Sequence, residues 1–290
     1  MLKRRLLIVY AHPDDESFGL GGLIAKYVAE NTQVDLICAT NGEAGTISPE
    51  YLERHGSPAA VRLAELDEAA RLLGLTNVIT LGYKDSGMMG TEANDDPQSL
   101  WQADVDDVTR RVVEVIRDLK PQVVITFNKY GGYGHPDHIA IQRAATRAFT
   151  LAGDAAYRTG LPPYAPQKLY YSGIATFMLQ LRILHARVMR EDPRRMGRNQ
   201  DIDLVAILDH VEPIHARVPI AAYFDRWEAA SACHRSQLGG RSLRLPDSLR
   251  RFLARSQGFT RVHPAPNGGV VDEHDLFAGV ILEAATAGAR

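Results

Sequence analysis

The sequence predicts an α/β fold: a mostly parallel, doubly wound, Rossmann-like sheet with helices on both faces and a C-terminal elaboration. Three observations predict it. Short runs rich in Val, Ile and Leu recur through the first 150 residues, as strands buried on both faces require. Segments of helical spacing lie between them, the pattern of repeated βα units. Each run is followed at once by glycine and polar residues, which is where open parallel sheets bind ligands.

The strand-like runs are Leu6 to Tyr10, Val34 to Thr40, Val78 to Tyr83 and Val123 to Phe127. The first imitates the start of a secretory signal, but its apolar core runs straight into charges, so it reads as a buried strand. Leu20, Ile24, Tyr27 and Val28 share one face of a first helix. A second helix runs from near Pro58 to Gly74, and a third carries Val105, Val108, Val112, Val115, Ile116 and Leu119 and stops at Pro121. Farther on, strands are expected around Lys168 to Ile174, Ile202 to Leu208 and Pro213 to Pro219, then a helix over Ala221 to His234. Arg182 to Arg198 shows no clear period and reads as a solvated loop. With no repeat or linker, residues 1–290 read as a single domain, a core over 5–150 and a part over 151–290 that shapes a pocket.

The chain has 290 residues and a net charge of −2, which hides an asymmetry. Residues 1–150 carry 15 basic and 21 acidic side chains, and residues 151–290 carry 18 and 14. No concentrated basic stripe appears, so a small-molecule partner is expected and a nucleic acid is not. No apolar stretch is long enough to span a bilayer. Two cysteines, Cys38 and Cys233, form no metal-binding pair, which points to a reducing, cytoplasmic setting. Oligomeric state stays open, a homo-oligomer included.

Two of the strand-end loops carry metal-ligand chemistry. His12 and Asp15 are three apart in a turn that opens a helix, and His135 and His138 repeat the spacing. Two imidazoles and one carboxylate, from His12, His138 and Asp15, suit a zinc with open positions for water and a carbonyl oxygen. Asp14 is then the candidate general base, and His135 the group that stabilises an oxyanion or protonates the leaving amine, oriented by Asp137. His55, His185, His210, His215, His263 and His274 read as ordinary hydrogen-bonded or surface residues. GLGGLI after the first strand lacks the small sixth residue of a dinucleotide fingerprint, and the acids before it would repel a pyrophosphate.

AHPDDE after the first strand, GEAG after the second, RLAE in the second helix and GHPDH after the fourth resemble the PIG-L (LmbE-like) deacetylases, and AASACHRSQ at 229–237 is similar to a further segment of that family. The resemblance implies removal of an acyl group from an amino-sugar nitrogen, with Zn2+ on His12, Asp15 and His138, Asp14 as base and His135 as acid or oxyanion stabiliser. Ferrous iron could use the same ligands. It also implies substrate contacts from Arg62 and Asp85, Tyr133 leaning over the metal, and Glu43 shaping the sugar site. The alternatives are an amidase of mycothiol-type S-conjugates with the same chemistry and a non-catalytic small-molecule binder on this fold. Residues 177–200 match no familiar pattern and leave the exact substrate open.

Overall fold

The computed structural model describes residues 3–197, 199–238, 246–266 and 272–282. In chain order the elements are β1 (Arg5–Tyr10), α1 (Asp15–Ala29), β2 (Gln33–Thr40), α2 (Pro49–His55), α3 (Pro58–Leu73), β3 (Asn77–Tyr83), α4 (Val105–Leu119), β4 (Val123–Thr126), the kinked turn α5 (Gly131–Gly134), α6 (Pro136–Leu151), β5 (Lys168–Ser172), α7 (Thr176–Val188), α8 (Leu204–Asp209), β6 (Ala216–Pro219), α9 (Phe224–Ser231), α10 (Asp247–Leu253) and β7 (Ser256–His263). The strands form one seven-stranded sheet in the order β3-β2-β1-β4-β5-β7-β6. β1 to β5 pair in parallel, whereas β7 runs antiparallel to both β5 and β6. The expected doubly wound sheet is therefore present, and its elaboration is this antiparallel edge.

Burial explains why the parallel strands read so plainly. Leu6, Leu7, Ile8 and Val9 of β1 and Val123, Val124 and Ile125 of β4 are fully buried, because helices cover both faces. α1, α3 and α9 pack on one another on one side, and α4 packs on α6 on the other. Local chemistry sets the helix starts. The Ser57 hydroxyl accepts the Ala60 N–H at 3.2 Å ahead of Pro58, and the Asp104 carboxylate accepts the Asp106 N–H at 2.8 Å. Strand order reverses between β1 and β4: β2 and β3 lie on one side of that pair and β5 on the other. The carboxyl ends of β1 and β4 thus flank the topological switch point, where an open α/β sheet leaves its crevice.

Two expectations for the C-terminal part are corrected. Ile202 to Leu208 is not a strand: Asp203 accepts the Val205 and Ala206 N–H groups at 2.9 Å each and starts α8, which buries Leu204 and Ile207, three apart. The first part of Arg182 to Arg198 is not a loop but the second half of α7, which buries Leu179, Ile183 and Ala186; Arg198 lies outside the described residues. α7 and α8 share a small apolar cluster that also holds Tyr130 and Tyr133 of the turn beyond β4. Among the described residues, no helix is long and apolar enough to cross a membrane.

Candidate active site

The loop after β1 brings His12 and Asp14 to the cavity, with Asp15 following at the start of α1, and its backbone is unusual. Asp14 has φ +138° and ψ −25°, a conformation that a residue with a Cβ adopts only under constraint. It places the Asp14 carboxylate on the cavity side, against Arg62, while Asp15 opens α1 and turns its carboxylate back to accept the His12 N–H at 2.8 Å. From the other side of the switch point, His138 projects from the first turn of α6. Its ring stacks on Phe127 with centroids 3.9 Å apart, and its Nδ1 lies 3.1 Å from the Gly131 carbonyl. That carbonyl reaches it because Gly131, at φ +67°, carries no Cβ, which would fall 2.9 Å from the His138 Cβ.

The result is a triangle of donor atoms. His12 Nδ1 and His138 Nε2 are 3.0 Å apart, and Asp15 Oδ2 is 3.4 Å from the former and 3.3 Å from the latter. Ligands at about 2.0–2.2 Å around a tetrahedral zinc stand roughly 3.3–3.5 Å from one another, so the two edges to Asp15 match one coordination face and the edge between the imidazoles, at 3.0 Å, is slightly short of it. The far nitrogen of each ring is also provided for. His138 Nδ1 faces the Gly131 carbonyl, and His12 Nε2 lies 3.1 Å from Asp137 Oδ2, the outer hydrogen bonds that orient metal-bound imidazoles. His12, His135 and His138, and separately His12, Asp85, His135 and Asp137, also bring ligand atoms within 4.8 Å. Those sets fit an ion less well: Asp137 is fully buried and spent on Ser86 and His12, and His135 Nδ1 accepts the Asp137 N–H at 3.2 Å.

The electrostatics are those of a site short of positive charge. Asp14, Asp15, Asp85 and Asp137 converge here with a single guanidinium, Arg62, whose Nη2 is 3.0 Å from Asp14 Oδ2 and also bonds the Pro13 carbonyl. Burial pushes the Asp14 carboxyl up to about 7, with Asp15 adding to the shift and Arg62 opposing it. Burial also works against a charged His12, but Asp85, Asp137 and Asp15 outweigh it and hold that imidazole well above its ordinary value. His135 goes the other way, down to about 2, because it is buried beside His12 and His138. A divalent cation in the triangle would balance the excess of carboxylates.

A cavity of about 630 Å³ opens onto these groups. His12, Asp14, Arg62, Asp85, Tyr133 and His135 line it, together with Thr46, Glu92, Asp201 and Gln237. Asp15 and His138 stand behind that wall. Tyr133 meets His138 and His135 edge-on, at 5.0 and 5.9 Å between ring centroids. Two expected placements change. The carboxylate of Asp137 does not orient His135, from whose Nδ1 it is 4.0 Å away; it holds His12. Glu43 is not part of the cavity wall, because its carboxylate accepts the Asp85 N–H at 3.3 Å and so fixes that loop instead. A second cavity of about 610 Å³, lined by Phe18, Phe224 and Trp227, has none of the clustered imidazoles.

Four buried residues of the site were not singled out from the sequence. Glu16 accepts the Asp14 N–H at 3.0 Å and lies 2.9 Å from His234 Nε2. Glu65 accepts both the N–H and the hydroxyl of Ser236, at 2.8 and 2.7 Å. These carboxylates belong to HPDDE and RLAE, and their partners to AASACHRSQ, so three separated segments meet in space. The shared resemblance of all three was the only sequence signal for this contact.

The family model described as "GlcNAc-PI de-N-acetylase" matches residues 7–149. A protein of Geodermatophilus obscurus named 1D-myo-inositol 2-acetamido-2-deoxy-alpha-D-glucopyranoside deacetylase is 36% identical over 289 residues, covering 96% of this chain and 98% of its own. Among solved structures, N,N'-diacetylchitobiose deacetylase of Pyrococcus horikoshii superimposes with a TM-score of 0.60 at 20% identity, covering 91% of this chain and 88% of that one. The 4-carboxy-2-hydroxymuconate hydratase of Pseudomonas putida does so at 0.58 and 18%, covering 92% and 99%. Deacetylase and hydratase on one fold show that the fold by itself does not choose the reaction. The full-length relative, the matched domain and the HPDDE and HPDH loops place the chain in the PIG-L (LmbE-like) family of deacetylases.

Proposed function

We propose that this chain is a metal-dependent hydrolase, with zinc as the first candidate ion and ferrous iron as the second, that removes the acetyl group from the nitrogen of an N-acetylglucosamine-type sugar. An inositol-linked acceptor is the first to try, because the Geodermatophilus relative bears that name. The observation that carries the reading is the triangle of His12 Nδ1, Asp15 Oδ2 and His138 Nε2, with edges of 3.0 to 3.4 Å, beside a carboxylate that is not part of it.

An ion held by those three residues would acidify water and polarise the amide carbonyl. The remaining roles fall to the chain itself. Asp14, held to the cavity side by its backbone and by Arg62, takes a proton from the attacking water. The Asp137 N–H occupies His135 Nδ1, which puts the imidazole proton on Nε2, and that N–H is a donor for the oxygen that gains charge as water adds to the carbonyl carbon. Breakage of the C–N bond then releases acetate and the amine, which leaves with the transferred proton. Tyr133 closes the cavity beside His135, and Asp85 offers acceptors to sugar hydroxyls.

The test is to incubate the protein with N-acetylglucosaminyl-inositol, N-acetylglucosamine and a mycothiol-type S-conjugate and to follow products by mass, before and after chelation and zinc or iron return. Acetate release from the acetylated sugar, lost with chelator and regained with metal, is expected. Cleavage of the S-conjugate alone would make the chain an amidase instead. Stoichiometric metal with no turnover of any of the three would leave a binding protein.

A further inference from the structure

The strain at Asp14 has a specific restraint, and it comes from the far end of the chain. The Asp14 N–H is held by Glu16 Oε2 at 3.0 Å, and the other oxygen, Glu16 Oε1, lies 2.9 Å from His234 Nε2 and also takes the Ser17 hydroxyl. Glu16 and His234 are both fully buried. His234 Nδ1 meets no hydrogen-bond partner among the described residues, so the ring is anchored through Nε2 alone. A buried histidine whose polar contacts, the Glu16 carboxylate and the Ser17 hydroxyl at 3.3 Å, both fall on one ring nitrogen orients the carboxylate that is itself bonded to the strained Asp14 peptide.

The geometry points to His234 as a positioning residue: through Glu16 it holds the Asp14 backbone at its positive φ and thereby keeps the Asp14 carboxylate on the cavity side. This inference rests on the reading of Asp14 as general base. Ser236, two residues on, is fixed by Glu65 and lines the same cavity, so the segment is anchored independently of the histidine. His234 therefore acts on where the base sits, while the triangle of His12, Asp15 and His138 keeps its own hydrogen bonds to Gly131 and Asp137.

The experiment compares His234→Ala, His234→Gln and Asp14→Ala on one acetylated sugar, with metal content measured on each. His234→Ala is expected to keep its metal and its KM while kcat falls about 10- to 100-fold, the range for residues that orient a catalytic group from behind. Added imidazole, which fits the space vacated by the ring, should restore part of that kcat. His234→Gln retains an N–H for Glu16 and should keep most of the activity; if the alanine variant does not fold, the glutamine variant and Glu16→Gln supply the comparison. An unchanged kcat in His234→Ala overturns the inference, as does a parallel loss of metal, KM and thermal stability with no imidazole rescue. Full activity in Asp14→Ala would instead remove the base reading on which it rests, a result separable from the others.

Discussion

Asp137 gives the sharpest test of how the site is held, because its two oxygens can be accounted for completely. Oδ1 takes the Ser86 hydroxyl, and Oδ2 lies 2.9 Å from the Ser86 N–H and 3.1 Å from His12 Nε2, with Asp137 and Ser86 both fully buried. In Asp137→Ala the Ser86 N–H and hydroxyl would both be buried without this acceptor, and His12 Nε2 would lose its nearest partner, with Asp85 left at 3.6 Å. At about 1–3 kcal/mol for each stranded donor the cost is roughly 2–6 kcal/mol, divided between stability and the hold on His12. Asp137→Asn is milder. Its amide oxygen can stand in for Oδ2, and its NH2 can donate to the Ser86 oxygen, which already accepts the Trp101 N–H at 3.0 Å and has a second lone pair. The charge is then lost, together with the acceptor of the Ser86 hydroxyl proton, and a charge-assisted bond is about twice as strong as a neutral one. A weakening of metal affinity by about tenfold is expected for the asparagine and up to about 100-fold for the alanine. Competition with a chelating dye measures this, with thermal melts of the metal-free forms run alongside. If the folded asparagine variant binds zinc as tightly as the native chain, the carboxylate does not set His12 and the orientation scheme is wrong.

Three further outcomes are expected. Asp14→Ala should keep close to one metal per chain and lose most turnover; metal lost together with activity would make Asp14 a ligand. Arg62→Ala and Asp85→Ala should slow hydrolysis of a small activated ester as well as of the sugar, because Arg62 holds Asp14 and Asp85 faces His12 Nε2 at 3.6 Å and His135 Nε2 at 4.0 Å; losses confined to the sugar would restore a pure substrate-contact role. Burial would raise the Glu273 pKa, but Lys168, Tyr170 and Arg261 outweigh it and hold it below the ordinary value. A depressed carboxyl stabilises the fold above its unfolded pKa of about 4.3 and loses that contribution as pH falls through the folded value. Glu273→Gln should therefore lower Tm at neutral pH, with the gap narrowing below about pH 4; a gap that is constant with pH would show that charge is not its basis.

The readable parts of the sequence are those in which one physical demand acts alone. Strands covered on both faces must be apolar throughout, so Leu6 to Tyr10 and Val123 to Phe127 stand out, and the polar residues that follow them mark the crevice. α7 is the opposite case. It buries Leu179, Ile183 and Ala186 on one side and leaves Phe177, Leu184 and Val188 exposed on the other, so apolar residues surround the helix and its period vanishes. Ile202 to Leu208 is expected as a strand, but Asp203 carries the capping signal that starts a helix there. β7, with Ser, Gln, Gly, Thr and Arg among its residues, pairs with β5 and β6 without an apolar alternation to announce it. In the site, His12, Asp15 and His138, grouped by their spacing, lie within 3.4 Å of one another, whereas the partner of Asp137 could not be read from proximity along the chain. A carboxylate two residues from His135 points at an imidazole 125 residues away.

That arrangement explains why the site needs the whole sheet rather than one loop. The donor triangle joins residues from the ends of β1 and β4, strands adjacent at the switch point, so the sheet register fixes the distance between its halves to within what hydrogen bonds allow: Leu6, Leu7 and Ile8 stand opposite Val123, Val124 and Ile125. A slip of one residue would turn every side chain to the other face and separate His12 from Phe127 and His138. The carboxylate proposed to act on water is held differently, by a strained backbone, by Arg62 from α3 and by Glu16, which His234 touches from the C-terminal part. The proposed ion site and the proposed base thus rest on separate sets of contacts, one built into the parallel core and one into the packing of α1, α3 and the segment after α9. Substitutions behind Asp14 should then lower kcat at full metal occupancy, and substitutions behind His12 should lower occupancy first; a variant set in which the two quantities always fell together would show that the site is a single unit.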